Sequence, residues 1–312
     1  MTNRTAARRA GQVLGAGLLL VLALVGPGQV VAVDAATGTI SGRVTDGNGN
    51  GVGGLHVVIV ALDASATTAT NGNYSLGSVP ATRGPYDVQL LAPCHRDQTR
   101  RVAVDGAETV NFTVAAPVVE SGYLCRQTSA SYIDTSAGAV LPLTGDDNTL
   151  CFTAAFEIRL FADRTTEPCI TTNGTITSAT GPSFRPGNAP LPDSTLPLGV
   201  IAPFWDDFVI DGPAQIRRLD GGSSPNRFMA FEWRAARFFH APSLRITFEA
   251  VLFEDGRIVF HYGGPTELTS TLSRGTSATV GLQDFDASTG VQRSFNQPLL
   301  DTGLSIEFVR SK

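Results

Sequence analysis

The strongest constraint on this chain is a stretch that is apolar on both of its alternating faces and doubles back on itself. Leu244 to Phe253 is rich in β-branched and aromatic residues, Glu254-Asp255-Gly256-Arg257 follows, and Ile258 to Tyr262 is β-rich again. Asp-Gly between two such runs is the signature of a two-residue type I′ hairpin. A turn of that kind sets Phe253 opposite Ile258 and Val251 opposite Phe260 on one face, and Leu252 opposite Val259 and Ala250 opposite His261 on the other. Both faces are largely apolar, so the hairpin belongs in the middle of a packed structure and not at a solvated edge.

The rest of the chain has the same character. Met229, Phe231 and Trp233 alternate with Ala230, Glu232 and Arg234, and Ser277 to Leu282 and Leu304 to Val309 are further β-rich runs. Upstream, short runs over Thr39 to Val44, Leu55 to Leu62, Thr70 to Leu76, Pro85 to Leu90 and Thr109 to Val114 are separated by Gly, Asn and Pro. Tyr86, Val88 and Leu90 fall on one face of their run, and His56, between Leu55 and Val57, reads as a surface strand residue. No helical period occurs, so the fold class is all-β, with two antiparallel β-sandwich domains. A length of 312 residues suits about two domains. Ala115-Ala116-Pro117 breaks the pattern and divides a sandwich over 38–115 from a larger one over 122–310, with 116–121 as linker.

Residues 1–35 read as an address. Arg4, Arg8 and Arg9 precede an apolar run from Val13 to Val25, and Ala32 and Ala35 follow in small-residue contexts, the order of a cleaved signal peptide. The run is too short for the roughly 20 residues that span a bilayer, so no membrane segment is expected to be retained. The expected location is secreted and extracellular. There, an even count of four cysteines, Cys94, Cys125, Cys151 and Cys169, reads as disulfides. Cys151 with Cys169 closes a short loop, which leaves Cys94 with Cys125 as a clamp across the linker; the other pairings stay open at this point. The net charge of −5, without a basic cluster beyond the leader, argues against nucleic acid as a partner.

The pattern Gly38-x-Ile40-x-Gly42-x-Val44-x-Asp46, then Gly54-Leu55-x-Val57, Thr70 to Leu76 and Tyr86-Asp87-Val88 resembles the carboxypeptidase regulatory-like family, a transthyretin-like sandwich. The order Ile201-Ala202-Pro203-Phe204-Trp205-Asp206-Asp207-Phe208, Arg227 to Trp233, Phe248 to Tyr262 and Ala278 to Asp284, together with Gly145-Asp146-Asp147 and Thr172-Asn173-Gly174, is similar to bacterial extracellular domains related to the nidogen-like family. These resemblances imply accessory modules with an adhesive or interaction role and no catalytic residues to carry over.

Chemistry has to be sought in the residues themselves. Asp206, Asp207 and Glu232 are the best carboxylate cluster, and a secreted hydrolase using Asp206 and Glu232 is one alternative. Adjacent Asp206 and Asp207 point to opposite sides of an extended strand and make a poor dyad. His95, His240 and His261 are candidate bases, but no nucleophile elbow or His-Glu-x-x-His helix accompanies them. No zinc spacing and no cofactor motif occur. Asp46-x-Asn48-x-Asn50-Gly51 opens like a calcium loop, yet Val57 stands where the bidentate Glu belongs, so an Asn/Gly turn is expected. Trp205 and Trp233 with Asp206 and Asp207 are the candidate binding residues, and the partner class is an extracellular glycan or surface protein. The expected function is a secreted non-catalytic binding or adhesion protein, with a carbohydrate-binding accessory of an extracellular hydrolase system as the alternative. Protein recovered from culture supernatant is expected to begin just after Ala32 or Ala35; a mature chain beginning near Met1 contradicts export.

Overall fold

The computed structural model describes residues 21–24, 30–33 and 36–311, apart from 82, 116, 129, 180–185 and 264–267. Val21–Leu24 pairs antiparallel with Val30–Val33; the rest of the expected leader lies outside the described residues.

The first module packs two sheets face to face. One holds Asn73–Pro80, Thr37–Thr45, Ala107–Thr109 and Phe112–Thr113, and the other runs Ala64–Thr67, His56–Ile59, Tyr86–Leu91, Gln98–Val102. Their inner faces bury Ile40, Val44, Val57, Leu76, Val88, Leu90 and Phe112. The module is not purely antiparallel, because Ala107–Thr109 and Phe112–Thr113 both run parallel to Thr37–Thr45. Two glycines of the opening motif permit this close approach. A Cβ on Gly38 would sit 2.2 Å from the Gly106 oxygen, and one on Gly42 would sit 1.8 Å from the Val110 oxygen. Asp46 accepts from the backbone N–H groups of Asn48 and Asn50 and from the Asn50 side chain, so its carboxylate is spent within the turn.

The second module is larger. Its ten-stranded sheet runs Val119–Glu120, Tyr123–Gln127, Ser305–Arg310, Ile258–Tyr262, Arg245–Phe253, Phe228–Phe238, Phe208–Ile210, Gly145–Asp146, with Gln215–Gly221 also on Phe228–Phe238 and Ala139–Val140 beside it. A six-stranded sheet, Thr149–Cys151, Cys169–Thr171, Ile176–Thr177, Val200–Trp205, Thr279–Gln283, Gly290–Phe295, faces it. Between them Trp233 stacks on Phe248 at 5.0 Å and donates its indole N–H to the Thr171 oxygen, tying one sheet to the other. Phe204, Phe208 and Phe238 complete the aromatic centre.

The hairpin over 245–262 differs from the two-residue turn by one position. Phe253 N–H donates to the Arg257 oxygen and Gly256 N–H to the Phe253 oxygen, so the loop is Glu254-Asp255-Gly256, with Gly256 in the left-handed region at φ +89°. This is the three-residue hairpin in which a turn is followed by a glycine bulge. The pairs become Leu252 with Ile258, Ala250 with Phe260 and Glu249 with His261. A one-residue slip exchanges faces along the strand. Phe248, Ala250, Leu252, Ile258, Phe260 and Tyr262 therefore share the inter-sheet core. Glu249, Val251, Val259 and His261 lie on the other side, and that side is buried too.

The modules are joined covalently. Cys94–Cys125 links the end of the first sandwich to the opening strand of the second, and Cys151–Cys169 bridges directly paired residues of neighbouring strands. Residues 118–120 are not a free linker: Val118 N–H bonds the Cys94 oxygen, and Val119–Glu120 pairs with Leu124 and Tyr123. Val58 and Leu91 of the first module bury Leu299 of the second. His56 belongs to this junction and not to the surface, with Nε2 3.4 Å from Asp301. Closing the 18-residue loop is worth about 3 kcal/mol by chain entropy. Non-reducing peptide mapping is expected to return these two pairs; Cys94 found free, or joined to Cys151 or Cys169, contradicts the clamp.

Candidate functional site

The expected binding residues fall in three different environments: Trp205 ends the strand Val200–Trp205, Asp206 and Asp207 follow it in a bend, and Trp233 lies on Phe228–Phe238. Trp205 is fully buried among Leu191, Leu196, Leu198 and Val200 on the outer side of the six-stranded sheet. Trp233 is fully buried between the sheets. Neither indole offers a face to a ligand, so the stacking platform expected of the two tryptophans is replaced by core packing, the usual fate of large aromatics on strands covered on both sides.

Asp206 and Asp207 lie in the bend between Val200–Trp205 and Phe208–Ile210 and diverge there. Asp206 is buried, accepting from Ser277 Oγ at 2.5 Å and from the Asp207 N–H. Burial pushes its carboxyl up to about 6, against the lowering effect of these two bonds. Asp207 turns the other way, toward Asp146 and Asp147. One carboxylate oxygen from each of the three lies within 4.8 Å of the others, the one such group of potential metal ligands among the described residues. An all-oxygen set suits a hard cation such as calcium, which takes six to eight oxygens. Asn173, fully buried, organises the loops around it: its amide N–H donates to Asp147 and its oxygen accepts the Phe208 N–H. Beside the trio, His240 sits 3.5 Å from Asp207, and Phe239 is 44% exposed. This acidic tip with its exposed ring is the open polar surface nearest the predicted residues.

Glu232 is elsewhere, on the outer face of the ten-stranded sheet. Register places Arg217, Glu232, Glu249, His261 and Ser305 in one row across five adjacent strands. Residues 130–138 cross that row as a strap. They leave the edge beside Ser305, where Thr128 N–H bonds the Ser305 oxygen, and rejoin the sheet as Ala139–Val140 against Arg218 and Arg217. Four strand spacings are about 19 Å, well within the reach of about 30 Å for nine extended residues. Four of the five members of the row bond the strap directly, and His261 bonds Ser305. Ser305 Oγ donates to the Ala130 oxygen, Ile133 N–H donates to Glu249 Oε1, Tyr132 and Thr135 donate to the two Glu232 oxygens, and Arg217 donates to the Thr135, Ser136 and Gly138 oxygens. Arg234 closes on Glu232 as well. Glu232 is therefore a structural acceptor with its oxygens committed, distant from Asp206 in its role and its surroundings.

A third polar region lies between the modules, a cleft of about 450 Å³ lined by His95, Arg96, Asp97, Glu120, Gln292 and Arg293. Its buried cation, Arg293, is already paired with Glu120, and Gln292 accepts the Leu191 N–H.

The sequence singled out Asp206, Asp207, Glu232 and the three histidines but missed Tyr132, Thr135, Asn173 and the central position of Glu249. The available signal was Glu249 and Glu232 standing inside runs apolar on both faces, where a charged residue demands a partner.

Fold and geometry together define an all-β protein of two disulfide-joined sandwiches whose interior carboxylates are engaged in structural bonds. The chain belongs to the NIDO-related family, whose sequence profile matches residues 122–310; the carboxypeptidase regulatory-like domain profile matches 39–115. No curated protein matches the chain. Among solved structures, it is similar to a type II cohesin–X-dockerin complex from Acetivibrio cellulolyticus (21% identity, TM-score 0.23, 25% of this chain and 56% of that one). It is also similar to a streptococcal ancillary pilin (13%, 0.22, 47% and 54%) and to a DUF3823 family protein from Bacteroides ovatus (13%, 0.20, 61% and 92%). The chain thus spans about half the length of the first two, and at these TM-scores the likeness carries no argument.

The raised Asp206 gives a pH signature. Its value in the folded protein exceeds its unfolded value of 3.8, so the stability it contributes is present below pH 3.8 and is lost as the pH rises to about 6. Thermal melts at pH 4 and pH 7 should show Asp206→Asn losing less stability over this interval than the parent; identical slopes would refute the assignment.

Proposed function

We propose that the protein is a secreted, non-catalytic binding or adhesion protein. The observation that carries this reading is the fate of the carboxylates. The two that a hydrolase would need, Asp206 and Glu232, are buried on different faces and bonded to Ser277 and to Tyr132, Thr135 and Arg234. The exposed functional groups gather instead at the tip formed by Asp146, Asp147, Asp207, Phe239 and His240. The matched families, the two disulfides and the absence of a membrane-crossing helix among the described residues are consistent with an extracellular setting.

Phe239 favours a glycan as the second reading. An exposed ring beside carboxylates combines a stacking face with acceptors for hydroxyls. The test is a screen of the mature protein against immobilised polysaccharides and surface proteins, with hydrolysis followed in parallel. Binding at the tip is expected to weaken about fivefold in Phe239→Ala, the loss of roughly 1 kcal/mol of stacking, and to weaken in Asp147→Asn. Substrate turnover that Asp206→Ala or Glu232→Ala abolishes would overturn the non-catalytic reading.

A further inference from the structure

The strap over 130–138 covers the row Arg217, Glu232, Glu249, His261, Ser305 and, with Ile133, the apolar patch of Ala230, Val251 and Val259 on the same face. Two carboxyls stand opposite each other on neighbouring strands, both fully buried. Their surroundings differ. Glu232 receives Tyr132, Thr135 and Arg234. Glu249 receives only the Ile133 N–H at 3.2 Å on Oε1, and its buried Oε2 has no hydrogen-bond partner among the described residues.

His261 supplies no countercharge. Ser305 spends its hydroxyl proton on the Ala130 oxygen, so at the 2.6 Å contact its oxygen accepts from His261 Nδ1–H. That fixes the tautomer: Nε2, 3.8 Å from Glu249 Oε1, carries a lone pair. Burial holds His261 down at about 4, so it stays neutral at higher pH. The remaining charged groups around the row are committed. Arg234 is on Glu232 and near Asp134, Arg217 is on strap carbonyls and Gln215, and Glu307 in the next row is paired with Arg126 and Arg257. A negative charge on Glu249 would therefore lie beside Glu232 and opposite a histidine lone pair, with one backbone N–H to stabilise it.

We propose that the strap is a pH latch: it is held closed while Glu249 is protonated and is released on deprotonation, uncovering the sheet face beneath Ile133. Burial, the largest cause, together with the neighbouring Glu232 pushes the Glu249 carboxyl up to about 8 despite the Ile133 bond. Because this lies above the unfolded value of 4.5, the latch is strongest below pH 4.5 and weakens as the pH rises through 8. The conversion needs only loss of the Glu249 proton to solvent.

The test is chymotryptic cleavage after Tyr132 in the disulfide-bonded mature protein between pH 6.5 and 9.5, with the rate divided by that of an unstructured tyrosine peptide to remove the pH dependence of the protease. The corrected rate is expected to rise about tenfold from pH 7 to 9.5 with a midpoint near 8, while the emission of the core residues Trp205 and Trp233 stays constant. In Glu249→Gln, a neutral isostere of the protonated acid, the rate is expected to be low and flat. A flat profile in the parent, an unchanged rise in the variant, or a tryptophan shift with the same midpoint, which would mean global unfolding, each overturns the latch. The parent profile decides the matter even if the variant fails to fold.

Discussion

The position of one glycine bulge governs the second module. With Gly256 in the left-handed region the hairpin closes on three residues, and the side chains of Arg245–Phe253 exchange faces relative to those of Ile258–Tyr262, compared with the arrangement a two-residue turn would assign. Phe248 and Tyr262 then point into the space between the sheets, where Phe248 stacks on Trp233 of the neighbouring strand and Tyr262 bonds the Pro203 oxygen of the six-stranded sheet. Glu249 and His261 point outward. In the alternative register Phe248 and Tyr262 would no longer share a face and the aromatic centre would lose one of them. Adding a Cβ at Gly256 meets only the Arg310 side chain at 3.4 Å, so what the position requires of glycine is the dihedral and not the space.

The outward face then has to be covered. It carries Val251, Val259 and Ala230 between two glutamates and a histidine, which neither solvent nor a dry core accommodates well. The strap resolves this with an irregular segment whose free backbone groups meet the buried side chains, so that the unpaired polar groups of each satisfy those of the other. The exception is Oε2 of Glu249. An orphaned buried oxygen costs about 1–3 kcal/mol when neutral and more when charged, which is why protonation is the favoured state.

How much of this could be read in the sequence depended on locality. The all-β class and the hairpin over 244–262 follow from runs and turns; the disulfide pairs agree with proximity along the chain, which by itself left the other pairings open. The register did not follow, because Asp255-Gly256 serves a two-residue turn and equally ends a three-residue one. His56 looked like a surface residue because its partner Asp301 is 245 positions away in the other module. Trp205 and Trp233 resembled a binding platform because alternation does not tell an open face from one covered by a distant loop or sheet. The segment from Ala130 to Gly138 has no period at all, and its role exists only through long-range partners. Asp206 and Asp207 do turn apart, but in a bend between two strands, so the alternation of an extended strand that suggested it is not what separates them.

The two modules meet through a disulfide, a small apolar contact and the His56–Asp301 pair. The central claim is the register that creates both the aromatic core and the polar row. Phe253 N–H to the Arg257 oxygen and Gly263 N–H to the Thr247 oxygen mark odd-numbered strand positions as the hydrogen-bonded pairs, which leaves Ala250–Phe260 and Phe248–Tyr262 as the close, non-hydrogen-bonded ones. The direct measurement is the cross-strand nuclear Overhauser effect between α protons. The account predicts strong Ala250–Phe260 and Phe248–Tyr262 effects; strong α-proton effects between Val251 and Phe260 or between Glu249 and Tyr262 would establish the two-residue turn and contradict it.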